Sequence, residues 1–300
     1  MKKFLVNVTL FAAILLCIAI AADCHKSHQL RQSKDRMYAG WNDNYNDTTR
    51  YDLVINGSSR AWVQFDPHIL DSILHINSYN LGINGRQINS QIVKYHKYCE
   101  RHGQPHFLVQ NIDIFTLGFV NGYEREQYFP YFFSDRELLR EMDKYEHFSF
   151  AEKYLPYWRY LGAGYFYLEE SLEKGYHGRD MVWDGAAFAE LGDVSVWEDS
   201  SMVGLFSDFL AEQKEIGTQV LLVYSPMYHG VVDKCSNIDR MYFLFDSIAG
   251  LYDIPILNYL EAPLCYDTTY FYNAMHLNRI GAELFTTQLA HDLDSIGFIK

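Results

Sequence analysis

Two residues at opposite ends of the sequence have the chemical types needed for acyl transfer. Ser59 follows the apolar run 53–55 in the stretch YDLVINGSSRAW, and His276 lies 217 residues later in YFYNAMHLNRIGAELF. A serine hydroxyl becomes a useful nucleophile when a neighbouring base takes its proton. Imidazole suits that task because its pKa lies near neutral pH. Ser59 and His276 are therefore a candidate nucleophile–base pair, and the alternative is that His276 caps the last helix or fills a loop.

The elements around these residues are predicted to form a sheet whose edge brings them together. Short apolar runs predict buried strands at 52–56, at about 79–81, and in HFLVQNIDIF, QVLLVYSP and IPILNYL. Amphipathic patterns predict helices between the strands. This alternation is typical of an α/β fold, a three-layer α/β/α sandwich with a mainly parallel, flavodoxin-like sheet. Such folds place their chemistry at the carboxyl ends of the strands, where Ser59 lies.

The sequence divides into an N-terminal segment and one large domain. Residues 1–22 combine Lys2 and Lys3 with an apolar run, which is typical of a signal peptide or an N-terminal membrane anchor. Residues 23–49 are polar and patternless, and we expect a loosely packed lead-in. Residues 50–300 are predicted to be a single domain. Within it, residues 116–200 are rich in aromatic and charged side chains, and we expect them to be a helical insertion.

Composition limits the classes of partner. The formal net charge is −13, and no basic run occurs, which argues against nucleic acid and against anionic lipid. The 24 Tyr, 20 Phe and 5 Trp favour a carbohydrate partner, because exposed aromatic rings stack on sugars. Beyond the N-terminal segment lie Cys24, Cys99, Cys235 and Cys265. Export permits a Cys235–Cys265 disulfide, but the low cysteine density predicts free buried thiols.

Three motifs resemble those of a known superfamily. INGSSRAW, NLGINGRQ and NAMHLNRIGAELF are together similar to the SGNH (GDSL-like) hydrolases. The likeness runs from about 51 to 297, and it is strongest to the exported branch that contains alginate and peptidoglycan O-acetyltransferase domains and esterases. The resemblance implies that Ser59 is the nucleophile and that its N–H begins an oxyanion hole. It further implies that Gly85 supplies the second N–H donor and that His276 is the base.

Two blocks depart from the superfamily pattern. The third block, G-x-N-D, normally supplies an oxyanion-binding Asn, and here VQNIDIF offers Asn111 or Asp113. The last block usually has Asp three residues before the histidine, but this chain has Asn273. A neutral amide can orient imidazole, although one Asp-to-Asn change in a triad cost about 10⁴ in rate. Asp267 is the alternative partner for His276.

Two further questions concern the surroundings of the nucleophile. Arg60 is expected either to bind a carboxylate or phosphate of the substrate or to hold the turn in place. The stretch from Gly57 to Ala61 also reads G-x-S-x-A, close to the nucleophile motif of α/β-hydrolases. In that fold several strands precede the nucleophile, whereas Ser59 follows the first strand, so its position argues against that fold.

These observations predict an exported serine esterase or O-acyltransferase, periplasmic or extracellular, that acts on acyl groups of a cell-envelope or extracellular polysaccharide. No metal or organic cofactor is implied. The expected partners are an acylated glycan and, for a transferase, a membrane acyl-transfer protein. The alternative is a catalytically weak or inactive SGNH-like protein that binds glycan during polysaccharide assembly, which Asn273 and the altered third block would favour.

Overall fold

A computed structural model of the protein describes residues 1–118, 124–162, 172–185, 188 and 192–299. Over these residues the α-helices are α1 (Lys2–Arg31), α2 (Arg36–Asn46), α3 (Ser59–Gln64), α4 (Pro67–Leu74), α5 (Ile88–His102), α6 (Arg136–Glu146), α7 (Phe150–Tyr154), α8 (Ser200–Ile216), α9 (His229–Asp233), α10 (Ile238–Tyr252) and α11 (Arg279–Ser295). The strands are β1 (Leu53–Asn56), β2 (Ser78–Asn80), β3 (Phe107–Ile112), β4 (Gln219–Tyr224), β5 (Ile256–Asn258), β6 (Phe271–Asn273) and β7 (His276–Leu277). Short 3₁₀ turns occupy Arg125–Tyr131, Trp158–Tyr160, Pro263–Tyr266 and Thr268–Tyr270.

Five strands form one parallel sheet in the order β2-β1-β3-β4-β5. In the register, Ile55 of β1 lies opposite Asn80 of β2 and Val109 of β3. This strand order is flavodoxin-like, with a switch point beside β1. The predicted α/β fold with a parallel sheet is therefore confirmed, and all five predicted strands are present.

Helices cover both faces of the sheet and make the two outer layers. On one face Leu53 and Ile55 belong to a buried cluster with Phe285 and Leu289 of α11, which also packs against α3 and α4. The intervening Val54 is fully buried and points to the opposite face. There α5, α8 and α10 form the second helical layer. Burial on both faces explains why the strands are continuous apolar runs.

The chain is divided into two compact units. One unit comprises Met1–Asn42 and Glu124–Ser171, and the other comprises Asp43–Tyr123 and Leu172–Lys300. The five-stranded sheet lies entirely in the second unit. The first unit is built from two stretches that are far apart in sequence.

The expectation of an unpatterned lead-in at 23–49 was wrong. Helix α1 continues without a break to Arg31, and α2 follows it. Polar side chains in this region are buried but paired, so the sequence pattern does not reveal the helix. Asn42, for example, donates its amide to the carbonyl of Leu30 at 2.9 Å.

The insertion expected at 116–200 is helical only in part. Residues 124–162 contain α6, α7 and two 3₁₀ turns, as predicted. By contrast, 192–199 lack helix, as do the described residues of 172–188. Residues 119–123, 163–171, 186–187 and 189–191 of the predicted insertion lie outside the described residues.

Two predictions about the N-terminal helix and the cysteines can be compared with the structure. Among the described residues, α1 is the helix that is long and apolar enough to cross a membrane, a property that signal sequences share.

All five cysteines are free, and Cys235 and Cys265 are buried. The prediction of free thiols is therefore confirmed for that pair, and the alternative disulfide is not formed.

Candidate active site

The turn after β1 separates the roles of two adjacent serines. The Ser58 hydroxyl caps α3 by accepting the N–H of Arg60 at 3.3 Å, and it donates to a carboxylate oxygen of Asp113 at 2.8 Å. Its hydrogen-bonding capacity is therefore used within the turn. Ser59 is the first residue of α3, and its Oγ lies 2.8 Å from Nε2 of His276. The fold thus brings together the two residues that the sequence pairs across 217 positions.

A short hairpin places Asn273 against His276. Strands β6 and β7 are antiparallel, and Asn273 lies directly opposite His276 across a two-residue turn. This pairing is the physical reason for the spacing of three residues, because cross-strand neighbours have their side chains in contact. The Asn273 Oδ1 atom lies 2.9 Å from Nδ1 of His276.

A backbone N–H fixes the orientation of the Asn273 amide and, through it, the imidazole tautomer. The Met275 N–H donates to Asn273 Oδ1 at 2.9 Å. Since a backbone N–H can only donate, the side-chain atom facing it must be the oxygen. That same oxygen faces His276 Nδ1, so Nδ1 carries the proton and Nε2 presents its lone pair to the Ser59 hydroxyl. This is the tautomer in which a histidine can accept a proton from serine.

The surroundings of His276 keep its imidazole neutral. Burial is the main cause, and the positive charges of Arg60 and Arg179 add to it, so that the pKa of His276 falls from its ordinary 6.5 to about 3. The ring is stacked on Tyr272, with 5.3 Å between centroids and planes 13° apart. The neutral imidazole can accept the Ser59 proton at neutral pH, but a pKa this low makes it a weaker base than an ordinary histidine.

A small pocket opens beside the pair. Its volume is about 120 Å³, and Ser59 and His276 form part of its wall. Gly85 also lines it and has φ of 62°, a left-handed conformation that glycine adopts at little cost. Phe115 and Met275 add apolar surface. The pocket therefore combines a nucleophile, a base and a glycine backbone around a small, partly apolar space.

Asn111, predicted as an oxyanion donor, is not part of this arrangement. It lies within β3, is fully buried, and donates its amide to the Val223 carbonyl at 3.1 Å and to Ser225 Oγ at 2.9 Å. Both N–H groups are thus used between β3 and β4. Asp113, the alternative from the same block, lies just beyond the strand and does line the pocket.

Arg60 and Asp267 also differ from the first expectations. The Arg60 guanidinium is buried and donates to the carbonyls of Ser225 and Pro226, so it holds the turn in place, as the second alternative proposed. Arg60 also forms part of the pocket wall. Asp267 is exposed and accepts the N–H of Thr269 at 2.9 Å, so Asn273 is the residue that contacts His276.

Five residues that line the pocket were not predicted from the sequence as site residues, namely Ser58, Arg86, Gln87, Phe115 and Met275. Gln87 comes two residues after Gly85, and Met275 directly precedes His276. Their adjacency to the motifs is the signal that could have identified them. Phe115 follows Asp113 in a turn whose course an apolar pattern does not predict.

Comparisons with known proteins find similar folds at low sequence identity. No family model and no curated protein matches the chain. A Streptococcus pneumoniae protein named for platelet activating factor is 11% identical, with a TM-score of 0.44 over 96% of this chain and 98% of that chain. A GDSL-like lipase from Bacteroides thetaiotaomicron is 12% identical, with a TM-score of 0.41 over 83% of this chain and 94% of that chain. A mutant form of a Geobacillus acetyl-xylooligosaccharide esterase is 10% identical, with a TM-score of 0.41 over 84% and 96%.

Proposed function

We propose that the protein is an SGNH-type serine hydrolase, an exported esterase or O-acyltransferase that acts on acyl groups of a cell-envelope or extracellular polysaccharide. The observation that carries the proposal is the chain of contacts from Ser59 Oγ to His276 Nε2 at 2.8 Å and from His276 Nδ1 to Asn273 Oδ1 at 2.9 Å. It supplies a nucleophile, a base and an orienting group in the order that acyl transfer requires.

In the first half of the reaction, Ser59 is acylated. Its Oγ attacks the carbonyl carbon of the sugar ester while His276 Nε2 takes the hydroxyl proton. The tetrahedral intermediate then collapses, the bond between the acyl carbon and the sugar oxygen breaks, and His276 returns the proton to the departing sugar hydroxyl. In the second half, water or another sugar hydroxyl attacks the acyl carbon and gives its proton to His276. The bond between the acyl carbon and Ser59 Oγ then breaks, and His276 returns the proton to Ser59 Oγ.

Backbone N–H groups are the proposed oxyanion donors. The Ser59 N–H lies in the first turn of α3, where helical N–H groups have no acceptor within the helix. Gly85 also lines the pocket, and its lack of a side chain allows close approach of the substrate to its backbone. Asn111 does not take part, so Ser59 and Gly85 carry this role together.

The pocket favours a short acyl group. A volume of about 120 Å³, bounded by Phe115 and Met275, suits an acetyl group better than a long acyl chain. The polysaccharide class rests on the resemblance of the three motifs to the exported O-acetyltransferase and esterase branch. An acyl-transfer partner in the membrane would be needed only if a sugar, rather than water, is the acceptor.

The proposal is tested with a fluorophosphonate probe and acetyl esters. We expect the full chain to gain one probe adduct by intact mass and to hydrolyse p-nitrophenyl acetate faster than the octanoate. Ser59→Ala should lose the adduct and reduce kcat/KM by about 10³-fold or more.

Ser207→Ala is the matched control, because its hydroxyl bonds to Tyr252 at 2.9 Å in the helical layer. It should retain both the adduct and the activity. A folded wild-type protein that forms no adduct over hours, yet binds acetylated oligosaccharides, would instead favour the glycan-binding alternative.

A further inference from the structure

The exposed apolar part of α1 ends at Ala22, and the part that packs against the protein begins at Asp23. The side chains of 4–22 are apolar with few exceptions, and nearly all are exposed. The next residue, Asp23, is buried, and its carboxylate forms an ion pair with Arg159 at 2.6 Å. Ser27 is buried one turn later and bonds to the Tyr160 hydroxyl at 2.8 Å. The helix is therefore continuous from a fully exposed apolar segment into the interior of the first unit.

The segment that contacts Asp23 has several exposed apolar side chains. From α7 to the residue after the following 3₁₀ turn, five large apolar side chains are 42% to 70% exposed. We call them the aromatic surface, and they are Phe150, Tyr154, Leu155, Trp158 and Leu161. Scattered exposed apolar residues are normal, but these five lie within twelve positions, and the rings of Phe150 and Tyr154 are 5.0 Å apart, so the group is a candidate interaction site.

Hydrogen bonds fix the aromatic surface at the end of the apolar segment. The Tyr157 N–H donates to Asp23 Oδ2 at 2.7 Å, and Arg159 donates to Asp23 Oδ1 at 2.8 Å. Both donors lie within the run of residues that forms the surface. The nineteen residues 4–22 rise about 28 Å as a helix, and the hydrocarbon core of a bilayer is about 30 Å thick. Asp23 would then lie at the level where hydrocarbon gives way to head groups.

We propose that α1 is retained as a membrane-spanning helix and that the aromatic surface lies in the interfacial layer of the same bilayer. Tyr and Trp concentrate at this depth because their rings are apolar and their polar atoms remain hydrated. Burial of the five side chains adds to the apolar free energy of the span. The partner is the lipid itself, because the aromatic surface is hydrogen-bonded to the end of an exposed apolar helix that is long enough to cross a bilayer.

The course of α1 favours retention over cleavage. Residues 19–21 read Ala-Ile-Ala, an A-x-A signal-peptidase motif, and they lie within α1 only two residues before its buried part begins at Asp23. Cleavage after Ala21 would leave Ala22 as the new chain terminus and would add a charged amine one residue before buried Asp23 and its partner Arg159. The negative net charge of the protein makes zwitterionic lipid the suitable membrane for a test.

The experiment uses the full chain reconstituted in phosphatidylcholine vesicles whose acyl chains carry bromine near the head group. Bromine quenches indole fluorescence only at close range. We expect wild-type fluorescence to fall relative to unbrominated vesicles, and we expect this loss to shrink in Trp158→Phe. Intact mass of the protein recovered from bacterial membranes should include 1–22.

Trp197→Phe is the matched control, since Trp197 is 54% exposed and Trp158 is 50% exposed. This variant should show the same bromine-dependent loss as wild type. Equal loss in Trp158→Phe and wild type would overturn the interfacial placement. A membrane or secreted form that begins at Ala22 or later would overturn the retained span.

Discussion

At the scale of single residues, Asn273 places a neutral amide where the SGNH motif that the sequence resembles usually has a carboxylate. The cost of such a change elsewhere arises largely because the amide favours the wrong tautomer of histidine. Here the Met275 N–H holds the amide oxygen toward the imidazole, so the productive tautomer is kept. What the amide does not supply is a negative charge to stabilise imidazolium. The expected consequence is a change in pH dependence rather than loss of the site.

The first prediction concerns that pH dependence. The pKa of His276 is lowered to about 3, so the base stays unprotonated at every pH above that value. The acid limb of kcat/KM for p-nitrophenyl acetate should therefore lie well below the ordinary histidine pKa of 6.5. Asn273→Asp places a negative charge beside Nδ1, which favours the charged imidazolium. The acid limb should then move to higher pH by about 1–3 units.

Asp267→Asn provides the comparison for a nearby carboxylate that bonds to Thr269 instead. Its acid limb should match that of wild type. Asn273→Ala, which removes the acceptor altogether, should lower kcat by about 10²–10⁴-fold. A wild-type limb near pH 6.5, unmoved by Asn273→Asp, would contradict the assigned roles.

Among the site residues, Ser59 and His276 were predicted from their types and positions, and Asn273 from the resemblance to the SGNH motif. Ser59 comes at the end of an apolar strand, and Asn273 and His276 are separated by the two residues of a hairpin turn. Asn111 was assigned to the pocket because the sequence does not show at which residue β3 ends. That end is at Ile112, so Asn111 belongs to the sheet and Asp113 to the loop.

At the scale of elements, the loop after β2 holds α3 and its serine in position. Asn80 donates its amide to the Ala61 and Phe65 carbonyls at 2.8 Å, and its oxygen accepts the Gly82 N–H at 2.8 Å. A Cβ added at Gly82 would lie 2.3 Å from the Trp62 backbone nitrogen. The glycine is therefore required by close contact between this loop and the helix that begins at Ser59.

The second prediction is that Gly82→Ala separates the loop from α3. Overpacking of this kind costs about 1–3 kcal/mol, and the displaced helix should also lower kcat. Urea unfolding gives the free energy of unfolding, and acetyl ester hydrolysis gives kcat. Gly250→Ala is the control, because it lies within α10 with no atom within 4 Å of the added Cβ. That change should stabilise the protein by about 0.5–1 kcal/mol, and equal effects of the two substitutions would contradict the prediction.

The elements that were predicted correctly are those whose burial or capping is visible in the local residue pattern. The strands of the sheet are apolar because both faces are covered, and α11 begins at a recognisable cap, where the Asn278 side chain accepts the Gly281 N–H at 3.0 Å. The continuation of α1 beyond residue 22 has no such pattern. Its partner Arg159 lies 136 residues away, and no local rule predicts that contact.

At the scale of the whole molecule, the first unit depends on contacts between two distant stretches of chain. Residues 1–42 contribute α1, and 124–162 contribute α6, α7 and the aromatic surface. The side chains of Asp23 and Arg159 are 4% and 0% exposed, so their ion pair is removed from water. A buried pair specifies which stretches meet, because either charge alone would be strongly unfavourable there.

The third prediction tests this specification through Arg159→Met, which leaves the Asp23 carboxylate buried without its partner. The free energy of unfolding should fall by about 3–5 kcal/mol, and limited proteolysis of the full chain in detergent should then cleave first within 124–162.

Lys214→Met breaks the exposed Lys214–Asp253 pair, whose side chains are 51% and 91% exposed, and should cost only about 0–1 kcal/mol. Replacing both Asp23 and Arg159 by Met should recover much of the stability, since no unpaired charge remains. Similar protease resistance in Arg159→Met and Lys214→Met would show that other contacts join the two stretches.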